Sequence, residues 1–271
     1  GKKVELLDKD SKTVSVAKEE ADKVVEKIYK PYHDRLRKIA DEKIGVVLND
    51  MVPQGKICGV SISFLKDTGM SSFITDVEKY YSKAEVVSFS YDYENLKLNK
   101  GEIKRKDIVY NYRYTGGDVT VFEMTGAQLK KYMEWSADYF DTIKKGDKNY
   151  RYNEERANLK YVTFDIFGGV KYKIDLRNPK GQKITNLTLE NGKKITPEMK
   201  IKVGMNFYRF EQLIKKDGIF EEEDIKMLWS SKDEIGSESG TIQNMMIDYI
   251  KKVKNGVIDG KSHDNWEIIG L

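Results

Sequence analysis

The chain has 271 residues, of which 39% are apolar and 34% are charged, so it can bury a large core and is too apolar to be disordered. Its 48 basic and 44 acidic side chains are mixed along the sequence and give a net charge of +4, which argues against an extended basic track for a nucleic-acid polymer. No segment approaches the roughly 18 consecutive apolar residues that a membrane-spanning helix requires.

The first predicted element is an amphipathic helix within residues 20–43. Its apolar face comprises Val25, Ile28, Tyr29, Tyr32, Leu36 and Ile39. Pro31 interrupts this pattern because proline removes a backbone donor and crowds the preceding turn. We therefore expect one long helix with a kink, or two shorter helices.

An α/β unit is predicted after this helix. Residues 57–64 have a short β-like pattern, and a second amphipathic helix follows. The apolar face of this second helix comprises Met70, Phe73, Ile74, Val77 and Tyr80. Residues 84–89 are typical of a strand, and a basic loop is expected over residues 100–106 before the most strongly patterned part of the chain.

That part begins with an alternation of aromatic and polar residues. The alternation predicts a strand with three rings on one face, formed by Tyr110, Asn111, Tyr112, Arg113 and Tyr114. Gly116, Gly117 and Asp118 then predict a turn, because they tolerate positive φ angles. Residues 119–124 have β-favouring side chains on both faces, which indicates a buried strand paired across that turn.

A helix with a well-specified start is predicted next. Thr125 can cap it, Gln128 can reach back to the Thr125 amide, and Met124 and Leu129 are placed for a hydrophobic staple. The face that packs on the sheet is expected to comprise Leu129, Tyr132, Met133, Ala137 and Phe140. This start is the clearest local signal in the sequence.

Strands and turns dominate the next segment. Residues 145–156 are polar and rich in turn formers, and residues 161–176 predict two strands around Gly168 and Gly169. Asn191 and Gly192 predict a hairpin between residues 184–189 and 195–203. Residues 205–209 are expected to close that run of strands.

One more amphipathic helix is predicted near the end of the chain. Its apolar face comprises Ile242, Met245, Met246, Tyr249, Ile250 and Val253. Helices and strands are therefore interspersed along the whole sequence. The predicted fold class is α+β, with mixed/antiparallel sheets and packed amphipathic helices.

Residues that could carry catalysis are scarce. Cys58 is the single cysteine, which excludes an internal disulfide and a cysteine-cluster metal site, and it is interpreted as a small buried apolar residue. The two histidines, His33 and His263, lie in no metal-binding spacing and are interpreted as surface residues. The acidic run at residues 221–224 is interpreted as a solvated helix start, with a cation site as the alternative. We expect no cofactor in this chain and no catalysis by it alone.

Five segments, taken in order, resemble the C-terminal domain of the bacterial 5′-nucleotidase family. They are residues 84–89, 107–137, 164–175, 206–209 and 264–268. The likeness is strongest to the branch of 2′,3′-cyclic-nucleotide 2′-phosphodiesterase/3′-nucleotidase proteins. It implies a hydrolase in nucleotide catabolism, in which two divalent metal ions in a separate catalytic domain cleave the phosphoester.

The resemblance also implies a role for this chain in binding a nucleoside or nucleotide substrate. Tyr114 and Tyr208 would be the two rings that sandwich the base, and polar contacts would come from Asn206, Arg209 and Arg113. The alternative is structural. The tyrosines of residues 110–114 would then form a cross-strand aromatic ladder, and Tyr208 would cover a sheet edge.

Domain organisation and location are implied by the same likeness. Residues 1–19 are interpreted as a linker or N-terminal extension and residues 20–271 as one nucleoside-binding domain. The expected partner is an N-terminal metallophosphoesterase domain of the parent protein, and the parent is expected to be exported to the periplasm, the cell wall or the medium.

Two departures from the family pattern leave a second interpretation open. Gly116, Gly117 and Asp118 stand where the branch has Asn-Thr-Leu, and residues 210–214 replace a glycine-rich loop. Because glycines let a backbone approach a ligand closely, their loss could narrow or abolish the pocket. The alternative function is therefore a degenerate structural or interaction domain that binds no nucleotide.

Overall fold

A computed structural model describes residues 11–157, 162–215 and 218–271, apart from the side chain of Glu223. Its contacts form two compact units, one ending at Ala40 and the other comprising Asp41–Leu271. The first unit contains α1 (Lys23–Ala40), a single helix with Pro31 inside it. Of the predicted linker, residues 1–10 lie outside the described residues. No helix among the described residues is long and apolar enough to cross a membrane.

The second unit contains short strands and helices in alternation. Its strands are β1 (Lys43–Val47), β2 (Lys56–Ile57), β3 (Val60–Ser61), β4 (Val86–Phe89), β5 (Gly101–Lys104), β6 (Thr120–Thr125), β7 (Ile166–Gly168), β8 (Val170–Asp175), β9 (Ile184–Leu189), β10 (Lys200–Met205), β11 (Lys226–Ser230), β12 (Val257–Ile258) and β13 (Trp266–Ile269). Its helices are α2 (Gly69–Ser82), α3 (Arg105–Asn111), α4 (Gly126–Ala137), α5 (Glu154–Ala157), α6 (Phe207–Ile214), α7 (Ser231–Glu234) and α8 (Ile242–Asp248), the last continued by a π-helical turn, Tyr249–Val253.

The strands form mixed sheets, which confirms the predicted fold class. The largest sheet has the order β11-β6-β10-β4-β7, in which β10 and β4 are parallel and the other neighbours are antiparallel. Two three-stranded sheets have the orders β12-β1-β5 and β13-β8-β9, and β2 and β3 form a small antiparallel pair. Most buried apolar side chains of these elements form one extensive core, and Ala84, Val87 and Val121 form a small second cluster.

The start of α4 follows the predicted capping box. The Thr125 amide donates to Oε1 of Gln128 at 2.7 Å, and the Gln128 amide donates to Oγ1 of Thr125 at 3.1 Å. The predicted apolar face is also confirmed. Its residues are fully buried: Leu129, Tyr132, Met133, Ala137 and Phe140. Local capping and helical periodicity were therefore sufficient to define this element.

The strand predicted over residues 110–114 is wrong, as is the basic loop predicted over residues 100–106. Residues 101–104 form β5, and Tyr110 and Asn111 belong to helix α3. The carboxylate of Asp107 accepts a hydrogen bond from the Lys104 amide at 2.7 Å and caps the helix. Ile108 and Asn111 are buried one helical turn apart, so helical packing outweighs the alternating pattern.

The two strands predicted around Gly168 and Gly169 are β7 and β8, but they do not pair with each other. Strand β7 pairs with β4 in the largest sheet, and β8 lies between β9 and β13. Gly169 has φ +83°, and a Cβ atom there would lie 2.0 Å from the Glu85 carbonyl oxygen. This glycine therefore lets the chain pass directly from one sheet to another. Residue 161, where the first strand was expected to begin, lies outside the described residues.

The predicted turn at residues 191–192 is present, with φ +84° at Gly192. The predicted hairpin around it is wrong, because β9 pairs with β8 whereas β10 lies between β6 and β4. An isolated bridge between Thr188 and Lys194 joins the two sides of the turn. Pro197 follows shortly afterwards and cannot donate to a ladder. The chain therefore leaves the turn for the neighbouring sheet.

Two further predictions concern the segments after β10. Residues 205–209 do not close the run as a strand: β10 ends at Met205, and Asn206 caps helix α6. In the acidic run, a short 3-10 turn, Glu222–Asp224, is present rather than a longer helix. The last amphipathic helix is confirmed, with Ile242, Met245, Met246, Tyr249 and Ile250 buried.

Glu78 on α2 is a buried acid without a partner. Its side chain is fully buried, and neither carboxylate oxygen has a hydrogen-bond partner in the described part of the chain. Burial raises the pKa of this carboxyl well above its usual value, and the nearby charge of Asp165 adds to the shift. The folded protein therefore keeps this proton at pH values above 4.5 at which the unfolded chain has already lost it.

This proton predicts a pH dependence of stability. Because the pKa of Glu78 is higher in the folded state than its usual value of 4.5, stability is expected to fall as the pH rises above that value. The Glu78→Gln side chain cannot ionise, so the free energy of unfolding of this variant should fall less with rising pH. Glu198→Gln, at an exposed site, should show the same fall as wild type. Urea unfolding between about pH 4 and about pH 8 checks this, and equal slopes for wild type and Glu78→Gln would contradict it.

Candidate functional site

A cavity of about 560 Å³ lies at one edge of the largest sheet. Its position follows from the strand directions: the parallel strands β4 and β10 end at this edge, and their antiparallel neighbours β6 and β7 begin there. The segments before and after these strands therefore converge on one place. Residues 88–90, 112–118, 162, 165, 206–209, 211 and 212 line the cavity, together with Lys232.

All five residues predicted to bind a base line this cavity: Tyr114, Tyr208, Asn206, Arg209 and Arg113. The cavity volume falls within the range of about 300–1,000 Å³ that is usual for small-molecule sites. The glycine-rich loop is replaced by helix α6, whose Phe210 stacks on Phe122 in the core with ring centroids 3.9 Å apart. A cavity is therefore present despite the loss of that loop.

Tyr114 contributes an aromatic wall. Its ring is partly buried and packs edge-on against Tyr112, with centroids 5.6 Å apart. Burial raises the pKa of the Tyr114 hydroxyl, and a hydrogen bond with Ser90 opposes that shift in part. The ring is therefore uncharged near neutral pH.

Tyr208 lies in the first turn of α6 and is 48% exposed. Two hydrogen bonds to backbone amides fix the start of this helix. Oδ1 of Asn206 accepts a hydrogen bond from the Tyr208 amide at 2.9 Å, and the buried carboxylate of Asp118 accepts one from the Phe207 amide at 3.2 Å. These caps hold the Tyr208 backbone against the segment that carries Tyr114.

Arg209 and Asp165 form a buried ion pair at the cavity. The Nε atom of Arg209 lies 2.7 Å from Oδ2 of Asp165, and Nη2 donates to Oδ1 at 2.9 Å and to the carbonyl oxygen of Val162 at 2.8 Å. The Tyr132 hydroxyl also donates to Asp165 at 2.7 Å. Burial disfavours the charge on Arg209, yet the pKa of its guanidinium is raised because Asp165 lies beside it.

Arg113 lies at the rim of the cavity. Its guanidinium lies over the ring of Tyr93, 4.1 Å from the centroid, and 4.0 Å from the carboxylate of Asp92. The side chain is 51% exposed, so part of it is accessible to solvent. Lys232 is a second exposed basic residue in the cavity lining.

Gly117 lies where the 112–118 segment comes close to the start of α6. A Cβ atom there would lie 2.9 Å from Nδ2 of Asn206 and 3.1 Å from the hydroxyl of Tyr112. Burial raises the pKa of the Tyr112 hydroxyl, and the neighbouring Asn206 side chain opposes that shift in part. Gly117, one of the residues that depart from the family pattern, therefore allows the 112–118 segment to pack directly against the start of α6.

Several residues of the site were not identified from the sequence. Asp165 lies within a segment that resembles the family. Nothing in the sequence around it indicated that it would pair with Arg209, 44 residues away. Asp118 was interpreted only as a turn residue, and Glu211 only as part of a replaced loop. A polar residue next to the end of a predicted strand is the signal that could have indicated Asp165 and Asp118.

Metal ligands are not gathered at this site. Among the residues that the structure describes, no group of three or more His, Cys, Asp or Glu side chains could hold a metal ion. His33 is exposed, and Nε2 of His263 lies 3.0 Å from the carboxylate of Asp76 on α2. The arrangement at the cavity can stack, orient and hydrogen-bond a ligand.

The fold and the site define a mixed-sheet α+β domain with an aromatic-lined cavity at one sheet edge. A family model described as 5′-nucleotidase, C-terminal domain, matches residues 44–220. The chain therefore belongs to the 5′-nucleotidase family, as its C-terminal domain.

Relatives in sequence are much longer than this chain. It is 27% identical over 239 residues to the trifunctional nucleotide phosphoesterase protein YfkN of Bacillus subtilis, covering 75% of this chain and 15% of that protein. It is 22% identical over 280 residues to the 2′,3′-cyclic-nucleotide 2′-phosphodiesterase/3′-nucleotidase of Haemophilus influenzae, covering 90% of this chain and 39% of that protein.

Two solved structures have the same fold. A candidate 5′-nucleotidase from Staphylococcus aureus, in complex with alpha-ketoglutarate, superposes with a TM-score of 0.71 at 18% identity, covering 96% of this chain and 45% of that one. The 5′-nucleotidase precursor from Thermus thermophilus gives a TM-score of 0.64 at 14% identity, covering 92% of this chain and 43% of that one. At these identities the likeness establishes the fold.

Proposed function

We propose that this chain is the nucleoside-binding domain of a two-domain, metal-dependent nucleotide phosphoesterase. The observation that carries the proposal is the placement of Tyr114 and Tyr208 on the same cavity, although they belong to segments far apart in sequence. A tyrosine ring can stack on any nucleobase, and each stacked base contributes about 1–3 kcal/mol. Two rings therefore favour a planar heterocycle.

The other residues of the cavity have supporting roles in this proposal. Arg209 donates hydrogen bonds to Asp165, Val162 and Gln212. Its side chain therefore holds the start of α6 in place and does not extend into solvent. Asn206 caps the same helix. Arg113, at the rim, is half-exposed and can donate to a ribose oxygen. The two rings thus supply stacking, and Arg113 supplies the polar contact nearest the mouth.

Catalysis belongs, in this proposal, to a second domain that precedes this chain in the parent protein. The chain spans 15% and 39% of the two relatives described above, which leaves room in proteins of that length for such a domain. Two divalent metal ions held there would position water and stabilise the charge that develops on phosphate. The intact protein would hydrolyse 2′,3′-cyclic nucleotides or nucleoside monophosphates, and it would be an exported protein.

Calorimetric titration of this chain with adenosine and with 3′-AMP tests the proposal. Saturable binding of both ligands with similar affinity is expected, because the base is held here and the phosphate elsewhere. Neither ligand should be turned over. Absence of heat at millimolar ligand would favour the alternative, a structural domain that has kept the fold and lost the ligand.

A further inference from the structure

Glu211 differs from the other carboxylates that line the cavity. The two oxygens of Asp118 accept hydrogen bonds from the Phe207 amide and the Thr120 hydroxyl, and those of Asp165 are bonded to Arg209. Glu211 is exposed, and its carboxylate forms no hydrogen bond or ion pair with any residue that the structure describes. It is therefore an acceptor available to a ligand.

The position of Glu211 on α6 places it beside the proposed stacking ring. Residues three apart on a helix lie on the same face, with Cβ atoms about 5–6 Å apart, and Glu211 follows Tyr208 by three positions. A base stacked on Tyr208 would therefore present one of its edges to this carboxylate. Gln212 also lines the cavity.

Gln212 adds a donor next to this acceptor. Its Oε1 atom accepts a hydrogen bond from Nη1 of Arg209, which leaves the amide nitrogen to donate to a carbonyl oxygen. An acceptor with two oxygens beside a donor is complementary to a base edge that carries two adjacent N–H groups and a carbonyl. Among the common bases, guanine has that edge, with N1–H, N2–H and O6.

We propose that Glu211 and Gln212 make this site selective for guanine nucleotides. The inference rests on the proposed base-binding function of the same cavity and adds the identity of the base. The Glu211 carboxylate accepts from N1–H and N2–H, and the Gln212 amide donates to O6. Adenine would turn its N1 lone pair toward the carboxylate, and hypoxanthine lacks the N2 amine, so both lose part of this recognition.

The test is calorimetric titration of the whole chain with GMP, IMP and AMP, which share their sugar and phosphate. Wild type should bind GMP about tenfold more tightly than AMP, with IMP between them, since a bidentate contact discriminates by about that factor. Glu211→Gln should weaken GMP binding about tenfold and change AMP binding by less than about twofold. Glu222→Gln, an exposed glutamate outside the cavity, is the matched control and should bind as wild type does.

Two results would overturn the inference while leaving base binding intact. One is equal affinity of wild type for GMP and AMP. The other is an equal loss for all three nucleotides in Glu211→Gln, which would place the carboxylate on the ribose. Absence of binding by all three nucleotides would instead overturn the proposed function, and this inference with it.

Discussion

Asp165→Ala is expected to lower the free energy of unfolding by about 3–5 kcal/mol. The carboxylate is 1% exposed and Arg209 is 9% exposed, so the substitution leaves a buried guanidinium without its counter-charge. It also removes the acceptor of the Tyr132 hydroxyl. Urea unfolding at neutral pH measures the change, and the midpoint should shift with little change in the slope.

A surface pair provides the control for this substitution. Asp248 and Lys252 form an ion pair one helical turn apart, with side chains 40% and 72% exposed. Asp248→Ala should cost less than about 1 kcal/mol, because solvent already screens the pair. A loss for Asp165→Ala no larger than that of Asp248→Ala would contradict the role assigned to the buried pair.

Tyr114→Ala and Tyr208→Ala are each expected to weaken nucleoside binding by about 1–3 kcal/mol, or roughly 5- to 150-fold. The loss arises because each substitution removes one face of the proposed base sandwich. Tyr114→Phe and Tyr208→Phe keep the aromatic faces and should retain most of the affinity. Calorimetric titration with adenosine measures all four variants.

Tyr110→Ala is the matched control for the two rings. Tyr110 is 43% exposed on α3, packs edge-on against Tyr93 and lies outside the cavity lining. Its removal should leave adenosine binding within about twofold of wild type if stacking in the cavity is the source of affinity. Equal losses in Tyr110→Ala and Tyr114→Ala would show a general effect on the fold and contradict the assignment.

Elements with strong local signals could be predicted from the sequence. The start of α4 is an example, because Thr125 and Gln128 satisfy each other's backbone donors within one turn. Helix α3 was missed because the alternation of tyrosines that begins at Tyr110, in its last turn, mimics a strand. What decides the conformation there is the Asp107 cap together with burial of Ile108 and Asn111.

Strand pairing could not be predicted, because it depends on contacts between distant segments. Gly169 was recognised as a turn residue, but its close approach to Glu85, just before β4, accompanies the passage of the chain from β7 into the separate sheet of β8. The contacts within the cavity could not be predicted for the same reason. Its five predicted residues came from a family resemblance, whereas the contacts of Asp165 with Arg209 and of Asp118 with the Phe207 amide emerge only from the sheet topology.

The central claim is that this domain recognises a base, and comparing a nucleoside with its sugar tests that claim most directly. Wild-type chain would be titrated calorimetrically with adenosine and, separately, with ribose. Saturable binding of adenosine together with no binding of ribose at millimolar concentration is the predicted result. Absence of adenosine binding, or equal binding of adenosine and ribose, would contradict the claim.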